Sequence, residues 1–273
     1  MTNLTQSAVA QAARNTQPFQ NAFQRAQGFY QRKAARLLFR RPLLIRTDRP
    51  LISFTFDDFP RSALHVGGET LARFDVAGTY YVSLGMAGSV TETGEQFVLA
   101  DLPMLLERGH ELGCHTYSHC HSWRTDPVKF EDEVLRNQLA LSGLEPVKFK
   151  TLSYPISPPR PLTKLRMAKH FSACRGGGQT LNTGVADLNH LRAFFLEKSS
   201  NNLQGVEDLI SQNARERGWL ILATHDVAEA PTPYGVTPVF FEAVVRCAVD
   251  SGARILPVVQ ALEVLKNSNQ SEA

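Results

Sequence analysis

The sequence is poor in cysteine and contains no long apolar run. Its four cysteines, Cys114, Cys120, Cys174 and Cys247, show no CxxC pair or other paired spacing, which favours free thiols in a reducing compartment. No apolar segment approaches the roughly 20 residues that span a bilayer. The first residues also lack the charged and apolar regions of a secretory signal. We therefore expect a cytoplasmic protein.

Positive charge is concentrated at the N-terminus. Residues 1–50 contain nine Lys/Arg and one acidic residue, a net charge of +8, although the whole chain carries only +3. From Phe19 to about Arg41 apolar residues recur every three or four positions among Arg and Gln, which predicts a basic amphipathic helix ended by Pro42. Such a helix packs on the rest of the chain or on a second subunit, or lies on an anionic membrane surface.

Beyond Pro50, short apolar segments alternate with amphipathic ones. The predicted strands are Ile52–Phe56, Thr79–Ser83, Glu111–His115, Thr151–Tyr154, Ser172–Cys174, Leu191–Leu196, Trp219–Ala223 and Arg254–Pro257. The predicted helices are Leu64–Phe74, Leu102–Arg108, Pro127–Leu141, Leu162–Lys169, Leu203–Arg217 and Pro238–Asp250. This alternation predicts a parallel α/β sheet, closed or nearly closed as a barrel. In such barrels the carboxyl ends of the strands face the active site.

Acidic and histidine residues follow three of these strands. Asp57 and Asp58 end the segment SFTFDDFP, and His225 follows five apolar residues in WLILATHDV. His115 and His119 are four residues apart, which on a helical turn places both imidazoles on one face. A turn or helix cap for the acid pair, and a packed His225, are the simpler interpretations of each segment alone. Together, one Asp and two His predict a catalytic metal site with open positions.

The segments also resemble the polysaccharide deacetylase family, the family-four carbohydrate esterases. The matches occur in order: TFDD at residues 55–58, HTxSH within GHELGCHTYSH, YP within SYPIS, and a late THD. The resemblance covers residues 51 to about 262. It implies a distorted (β/α)7–8 barrel with parallel strands, here a catalytic unit of residues 49–268 after an N-terminal tail and helix of residues 1–48. It also implies metal-dependent hydrolysis of N-acyl groups on sugars.

The resemblance assigns roles to five residues. Asp58, His115 and His119 would bind one divalent metal, Zn²⁺ or a similar ion. Asp57 would be the general base that takes a proton from the attacking water. His225 would protonate the leaving amine, a role suited to an imidazole with an unperturbed pKa of ~6.5.

Further residues are candidates for substrate and oxyanion contacts. A backbone N–H near Pro155 and Ile156, next to Tyr154, would stabilise the oxyanion together with the metal. Tyr234, in the turn-rich segment after His225, is a candidate for stacking on a sugar, with a packed loop tyrosine as the alternative. The glycines at 176–178 lack the Lys-Ser/Thr of a phosphate-binding loop, so we interpret them as a rim loop.

The sequence departs from the family pattern at three places. Phe59 stands where the family commonly has glycine, so we expect a bulkier loop that narrows the cleft. The arginine that pairs with the base in many members is absent from TLSYPIS. Arg175, a candidate catalytic residue, could supply that charge, unless it is a surface arginine before the glycines. The Asp-Trp motif of many members is not evident, and Asp187 could replace part of it.

The predicted function is therefore removal of an acyl group, acetyl in the first instance, from an N-acylated amino sugar. A polysaccharide and a lipid- or nucleotide-linked precursor are the expected substrates, in the cytoplasm or at the inner face of the membrane. The alternatives are hydrolysis of another linear or cyclic amide, and a carbohydrate-binding protein without catalysis. We expect no nucleic-acid binding, because the body of the chain is net acidic and has no recognition-helix motif. Peripheral membrane contact or homo-oligomerisation would involve the N-terminal helix.

Overall fold

The structure is a computed structural model that describes residues 25–144, 147–156, 158–199 and 201–270. Its strands are β1 (Pro42–Leu44), β2 (Leu51–Phe56), β3 (Thr79–Val82), β4 (Val90–Thr91), β5 (Gly94–Glu95), β6 (Glu111–Cys114), β7 (Thr151–Ser153), β8 (Ala173–Arg175), β9 (Val185–Asp187), β10 (Phe194–Phe195), β11 (Trp219–Thr224) and β12 (Arg254–Ile255). Its helices are α1 (25–37), α2 (Glu69–Arg73, continuing π-helical Ala63–Gly68), α3 (Asp101–Glu107), α4 (Pro127–Ala140), α5 (Pro161–Met167), α6 (Leu203–Glu216), α7 (Pro238–Asp250) and α8 (Val258–Gln270).

One parallel sheet forms the centre of the molecule. Its strand order is β10-β11-β2-β3-β6-β7-β8, and β12 pairs with the beginning of β2. The sheet is curled: Arg175 of β8 forms a parallel bridge with Leu191, which lies shortly before β10 in the chain. The two ends of the strand order therefore approach each other. This curled half-barrel with helices outside confirms the predicted α/β barrel, and all eight predicted strands occur in it.

The central strands are buried on both faces. Every residue of β2 and of β11 is buried. β11 is a nearly continuous apolar run, as expected for a buried parallel strand. In β2 the two polar residues are satisfied: Ser53 Oγ accepts from Trp219 Nε1 at 3.0 Å, and Thr55 Oγ1 donates to the Leu222 carbonyl at 3.1 Å. Phe56 at the end of β2 stacks on Tyr80 of β3 with ring centroids 4.6 Å apart. Close packing of this kind fixes the positions of the residues that follow each strand.

The N-terminal segment is attached to the barrel by a buried lysine. Lys164 of α5 is fully buried, and its Nζ donates hydrogen bonds to the carbonyls of Ala35 (2.6 Å) and Leu38 (2.8 Å) and to Asp187 Oδ2 (2.7 Å). These carbonyls lie at the C-terminal end of α1, where a cation is electrostatically favoured. Asp187 also accepts the Arg41 N–H at 2.9 Å. Asp187 thus holds the N-terminal segment and is not among the residues that line the cavity. Its replacement of part of the Asp-Trp motif stays a prediction.

Some elements were not predicted. The antiparallel ribbon of β1 and β9, the short β4–β5 hairpin and α8 have no counterpart among the predicted segments. The predicted N-terminal helix begins outside the described residues, and its described part ends at residue 37. Among the described residues, no helix combines the length and hydropathy that crossing a bilayer requires. The division at residues 48 and 49 stays a prediction.

Candidate active site

A cavity of about 1050 Å³ opens at the carboxyl ends of the parallel strands. Asp57 follows β2, His115 follows β6, Arg175 ends β8 and His225 follows β11, and all four line this cavity. The residues come from different parts of the sequence, and the parallel strands bring them to one edge of the sheet.

A tight reversal directly after β2 places both acids in the cavity. Asp58 and Phe59 have positive φ angles of 62° and 59°, a region that non-glycine residues rarely adopt. The Phe59 N–H donates to the Asp57 carbonyl at 2.7 Å, while the Asp57 N–H continues the ladder to the Thr224 carbonyl at 2.9 Å. Because the backbone turns here, two consecutive carboxylates reach one cavity, which a regular strand would not allow.

Phe59 lies in the core and does not line the cavity. Its ring is fully buried, is stacked on Phe97 with centroids 5.0 Å apart, and lies 5.0 Å from the ring of Tyr80. The expectation that Phe59 narrows the cleft is therefore wrong. Burial of a whole aromatic side chain offsets the cost of its left-handed backbone, where glycine would have been unstrained.

Asp58, His115 and His119 form a cluster suited to a cation. Asp58 Oδ1 lies 3.3 Å from His115 Nε2 and 3.1 Å from His119 Nε2, and the three candidate ligand atoms lie within 4.8 Å of one another. Yet Asp58 Oδ1 is buried without a hydrogen-bond partner among the described residues, whereas Oδ2 accepts from Thr93 Oγ1 at 3.2 Å. A buried carboxylate oxygen in need of a positive partner, beside two imidazole nitrogens, fits a divalent ion of the zinc type.

The protonation of His115 is fixed from behind. Its Nδ1 lies 2.8 Å from the Ser153 carbonyl, which can only accept a hydrogen bond, so Nδ1 carries the proton. The Nε2 lone pair is therefore directed at Asp58. Such outer contacts orient metal ligands in proteins. Burial alone would raise the pKa of Asp58, but hydrogen bonds and charge from the His115 and His119 imidazoles, in their doubly protonated form, outweigh burial and hold that pKa well below its usual value.

His119 reaches the cluster from an irregular loop. Residues 115–119 are not helical, and Thr116 and His119 have positive φ angles of 63° and 55°. The predicted helical turn between the two histidines is therefore wrong, although the two imidazoles do meet. Side chains hold the loop: Thr116 Oγ1 accepts the Cys120 N–H at 3.1 Å, and Glu133 accepts the Ser118 N–H at 2.8 Å.

Arg175 lies against Asp57. It is only 1% exposed, and its Nη2 donates to Asp57 Oδ1 and to Ser153 Oγ at 2.9 Å. Its guanidinium also lies 5.0 Å from the ring centroid of Tyr81. The alternative of a surface arginine is wrong. Burial would raise the pKa of Asp57, but the charge of Arg175, followed by those of the two neighbouring imidazoles at 115 and 225, lowers it. Asp57 is thus kept as an anion.

The loop after β11 orients His225. Its Nδ1 lies 3.1 Å from the carbonyl of Tyr234, so Nδ1 carries a proton and Nε2 is left for another partner. Asp226 closes this loop by accepting the Thr232 N–H and hydroxyl at 2.8 and 2.6 Å. Gly235 is required there, because a Cβ would lie 2.1 Å from Asp226 Oδ1. Tyr234 lines the cavity as expected, and its carbonyl positions His225, which was not predicted.

The turn at Pro155 and Ile156 offers a backbone donor. The Pro155 carbonyl accepts from the Ser122 N–H at 3.2 Å and the Ser122 hydroxyl at 2.6 Å, which fixes the turn. Ile156 has a φ of 48° and lines the cavity. Within the described residues its N–H has no hydrogen-bond acceptor. The Ile156 peptide thus borders the cavity, and its role as an oxyanion donor stays a prediction.

Four residues of the cavity lining each have a buried polar atom with no hydrogen-bond partner among the described residues: Tyr154 Oη, Arg175 Nε, His190 Nε2 and Glu197 Oε2. Sequence reasoning missed His190 and Glu197. Glu197 directly follows the predicted strand Leu191–Leu196, so the rule that strand ends carry the site could have found it. Burial raises the pKa of the Glu197 carboxyl to about 7.

Other residues of the histidine-rich segment lie outside the cluster. Cys114 is fully buried and accepts a hydrogen bond from Asn137 Nδ2 at 3.4 Å. His121 Nδ1 accepts the Trp123 N–H at 3.1 Å. Neither is among the residues whose ligand atoms converge.

Comparison with known proteins gives matches to family and fold. A family model described as polysaccharide deacetylase matches residues 45–170. No protein with curated annotation matches the chain.

Solved structures share the fold at low identity. The peptidoglycan deacetylase of Bacillus subtilis is 18% identical, with a TM-score of 0.57 over 82% of this chain and 96% of that one. A family 4 acetyl xylan esterase from Clostridium thermocellum, in complex with a cobalt ion, is 17% identical, with a TM-score of 0.55 over 78% and 91%. The chitin deacetylase of Colletotrichum lindemuthianum is 15% identical, with a TM-score of 0.56 over 78% and 88%.

Proposed function

We propose that the chain, which the polysaccharide deacetylase family model matches over residues 45–170, removes an acyl group from an N-acylated amino sugar with the help of one divalent cation. Acetyl is the first acyl group to test. The family match supports an amide hydrolase of the deacetylase type. The metal, the residue roles and the sugar substrate are our proposal.

The observation that carries the proposal is the cluster around Asp58. A buried carboxylate oxygen without a hydrogen-bond partner faces two imidazole nitrogens at 3.1 and 3.3 Å, and a second carboxylate, Asp57, follows β2 beside it. A site built only for stability would pair such an oxygen with a donor. Asp58, His115 and His119 therefore hold the cation in our proposal.

These residues would hold a divalent cation, which would supply Lewis-acid chemistry: polarisation of an amide carbonyl and a lowering of the pKa of a water from ~15.7 towards about 7. The carboxylate and two imidazoles suit Zn²⁺ and related ions. The cobalt ion in the acetyl xylan esterase shows that one protein of this fold binds such a metal. Zn²⁺ is our proposal for this chain.

Asp57 is the general base in this account. Its Oδ1 is bound by Arg175, which leaves Oδ2 to accept a proton from the attacking water. The guanidinium keeps the carboxylate ionised and fixes its direction, so the base needs no reorientation when the substrate arrives. Arg175 acts through Asp57, and we regard it as a positioning residue.

His225 is the general acid, and the Ile156 N–H donates to the developing oxyanion. The Tyr234 carbonyl holds the imidazole proton on Nδ1, so a proton acquired on Nε2 can pass to the leaving nitrogen. The amine must leave protonated, because an amide anion is too basic to leave at neutral pH. The carbonyl oxygen that becomes negative needs a fixed donor, which the turn after Pro155 supplies.

A sugar fits the cavity better than a small apolar amide. Its volume of about 1050 Å³ exceeds what one acetamide group requires. The ring of Tyr234, 39% exposed, lines the cavity and is available for stacking on a sugar. Polar side chains of the lining, among them Glu92, Arg192 and Lys198, can hydrogen-bond sugar hydroxyls, which a linear or cyclic amide without hydroxyls would not use.

The first test is acetate release from N-acetylated chitooligosaccharides and nucleotide sugars by metal-free protein, before and after Zn²⁺ is added. We expect release only with metal, and at least about 10²-fold slower release from Asp57→Asn at the same metal content. A metal-loaded protein that binds these sugars but releases no acetate or other amide product would instead be a carbohydrate-binding protein. Release of product only from cyclic amides would support the second enzyme alternative.

Localisation and partners extend the proposal. We place the protein in the cytoplasm, with the inner face of the membrane as one site of action, because its four cysteines are free thiols. A carbohydrate is the proposed partner, and nucleic acid is not. Fractionation of cells followed by immunodetection tests the location; recovery with the extracellular fraction would contradict it.

A further inference from the structure

Helix α1 turns a basic face towards the catalytic cavity. Phe29, Arg32, Lys33 and Arg36 line the cavity, and their spacing of three and four residues places them on one side of the helix. In the part of the chain that the structure describes, no carboxylate forms an ion pair with these three cations. The cationic face is thus part of the wall of the site.

A second group of cations lies on the other side. Arg192 and Lys198, which flank β10, also line the cavity. Burial and the charges of two arginines of the N-terminal segment, Arg36 and Arg40, lower the pKa of Arg192. Guanidinium groups from two distant parts of the chain thus lie close enough to repel each other. Such an arrangement costs stability unless an anion binds between them.

The balance of charge in the cavity is positive. Arg175 is neutralised by Asp57, and Asp58 belongs to the proposed metal site. The remaining charged residues of the lining are five cations, named above, against Glu92 and Glu197. Burial also raises the pKa of Glu197 to about 7, so this carboxyl is partly protonated at neutral pH.

The helix is held in this position. The Lys164 ammonium binds two carbonyls near its C-terminal end, at 2.6 and 2.8 Å, and Tyr30 packs edge-on against Trp123 at 6.1 Å. Ala34 and Ala35 of this helix are themselves buried. These contacts direct the basic face towards the cavity, where a ligand that enters the site must meet it.

We infer that the substrate is a phosphorylated amino sugar, and that Arg36 and Arg192 form a subsite for its phosphate or pyrophosphate group. This inference rests on the proposed function and names its substrate class. Arginine binds phosphate oxygens through paired N–H groups, and a group with two charges matches several clustered guanidiniums better than one carboxylate does. A neutral chitin or xylan chain has no group for this subsite. Nucleotide-linked and lipid-linked sugars share the required chemistry.

The kinetic test compares kcat/KM for three substrates: UDP-N-acetylglucosamine, a polyprenyl-diphosphate N-acetylglucosamine in detergent, and neutral chitotriose. The wild type should prefer at least one phosphorylated sugar. In Arg36→Ala and in Arg192→Ala the ratio of phosphorylated to neutral kcat/KM should fall about tenfold. Arg215→Ala, on the outer surface of α6, is the matched control and should leave the ratio within about twofold. Whichever phosphorylated substrate has the higher kcat/KM shows whether the sugar is linked to a nucleotide or to a lipid.

A binding measurement tests the subsite without activity. Inorganic pyrophosphate is titrated into the His119→Ala variant after chelation, so that no bound metal competes for it. We expect pyrophosphate to bind with an affinity that falls as salt is added. The dissociation constant should rise at least about tenfold when Arg36 or Arg192 is also replaced by alanine, and should stay unchanged when Arg215 is replaced. Equal binding in all variants, or none, overturns the inference whether or not the enzyme is active. Specific binding in a protein that deacylates no sugar would contradict the proposed function and leave the anion subsite standing.

Discussion

Two buried carboxylate sites lie at opposite ends of the same sheet. At the amino end, Glu111 begins β6, is buried, and accepts hydrogen bonds from uncharged donors. Its Oε2 accepts from Thr79 Oγ1 at 2.8 Å and from the Val259 N–H at 2.9 Å, and its Oε1 accepts from Thr151 Oγ1. These contacts join β3, β6, β7 and α8. Burial outweighs the hydrogen bonds, and the pKa of Glu111 is raised.

At the carboxyl end, Asp57 and Asp58 are equally buried, but their neighbours are Arg175, His115 and His119, and the pKa of both acids is lowered. One oxygen of Asp58 has no hydrogen-bond partner among the described residues. Burial is therefore the same at both ends, and the partners differ. Neutral donors that complete a carboxyl make a structural joint, whereas cations and unpaired atoms hold a charge ready for a ligand.

The largest effect that this contrast predicts follows from His115→Ala. Loss of one ligand should abolish stoichiometric metal binding and lower activity at least about 10³-fold. Metal content by mass spectrometry and acetate release measure the two effects. His121→Ala is the matched control, because that histidine lies in the same segment but outside the cluster. Unchanged metal content in His115→Ala would remove the ligand assignment.

The same chemical change at both ends sharpens the comparison. Asp57→Asn should lower kcat about 10²–10⁴-fold with the metal retained, because an amide cannot accept the proton. Glu111→Gln makes the identical replacement at the amino end and should leave kcat within about twofold. Similar losses of kcat in both variants would show that Asp57 acts through the fold rather than as a base.

Glu111→Leu should destabilise the protein without a specific effect on chemistry. Two threonine hydroxyls and the Val259 N–H would lose their acceptor, at a cost of about 2–4 kcal/mol in the free energy of unfolding. Glu111→Gln keeps an acceptor and should cost less than about 1 kcal/mol. Urea denaturation followed by circular dichroism measures both. A loss of kcat in folded Glu111→Leu would contradict the structural role.

The smallest effect concerns Glu197, which lines the cavity. Burial dominates its pKa, and the nearby cations do not keep the carboxyl ionised. Its pKa is raised to about 7 by burial, so its contribution to stability is fully present below its unfolded pKa near 4.5 and is lost as the pH rises through about 7. The unfolding free energy of the wild type should fall between pH 4.5 and 7 by on the order of 2 kcal/mol relative to Glu197→Gln. Parallel pH slopes in the two proteins would contradict this.

The sequence predicted the strands well, because buried parallel strands are short, continuous apolar runs. The residues after the strands followed from the rule that strand ends carry the site. The β1–β9 ribbon could not be predicted, since its two three-residue strands pair across more than half of the chain. The meeting of His115 with His119 depends on left-handed backbone at Thr116 and His119, which no glycine announces.

The described part of the N-terminal helix packs on the rest of the chain, one of the alternatives that the sequence left open, but the sequence did not indicate that its basic residues would line the cavity. The orientation of this helix depends on Lys164 of α5. The burial of Lys164 could not be predicted, because α5 also contains Arg166 and the sequence does not show which of the two is buried. The partner of Asp57 was foreseen as Arg175, yet only the curl of the sheet brings β8 close enough for contact. Local pattern gave the elements, and long-range packing decided which charges meet.

The most direct test of the account is a titration of chelator-treated protein with Zn²⁺ while acetate release from its preferred N-acetylated sugar is followed. One ion held by Asp58, His115 and His119 predicts that activity rises linearly and reaches its maximum at one equivalent, and that His115→Ala shows no such rise. Activity that persists in metal-free protein, or that the first equivalent does not restore, would contradict the account.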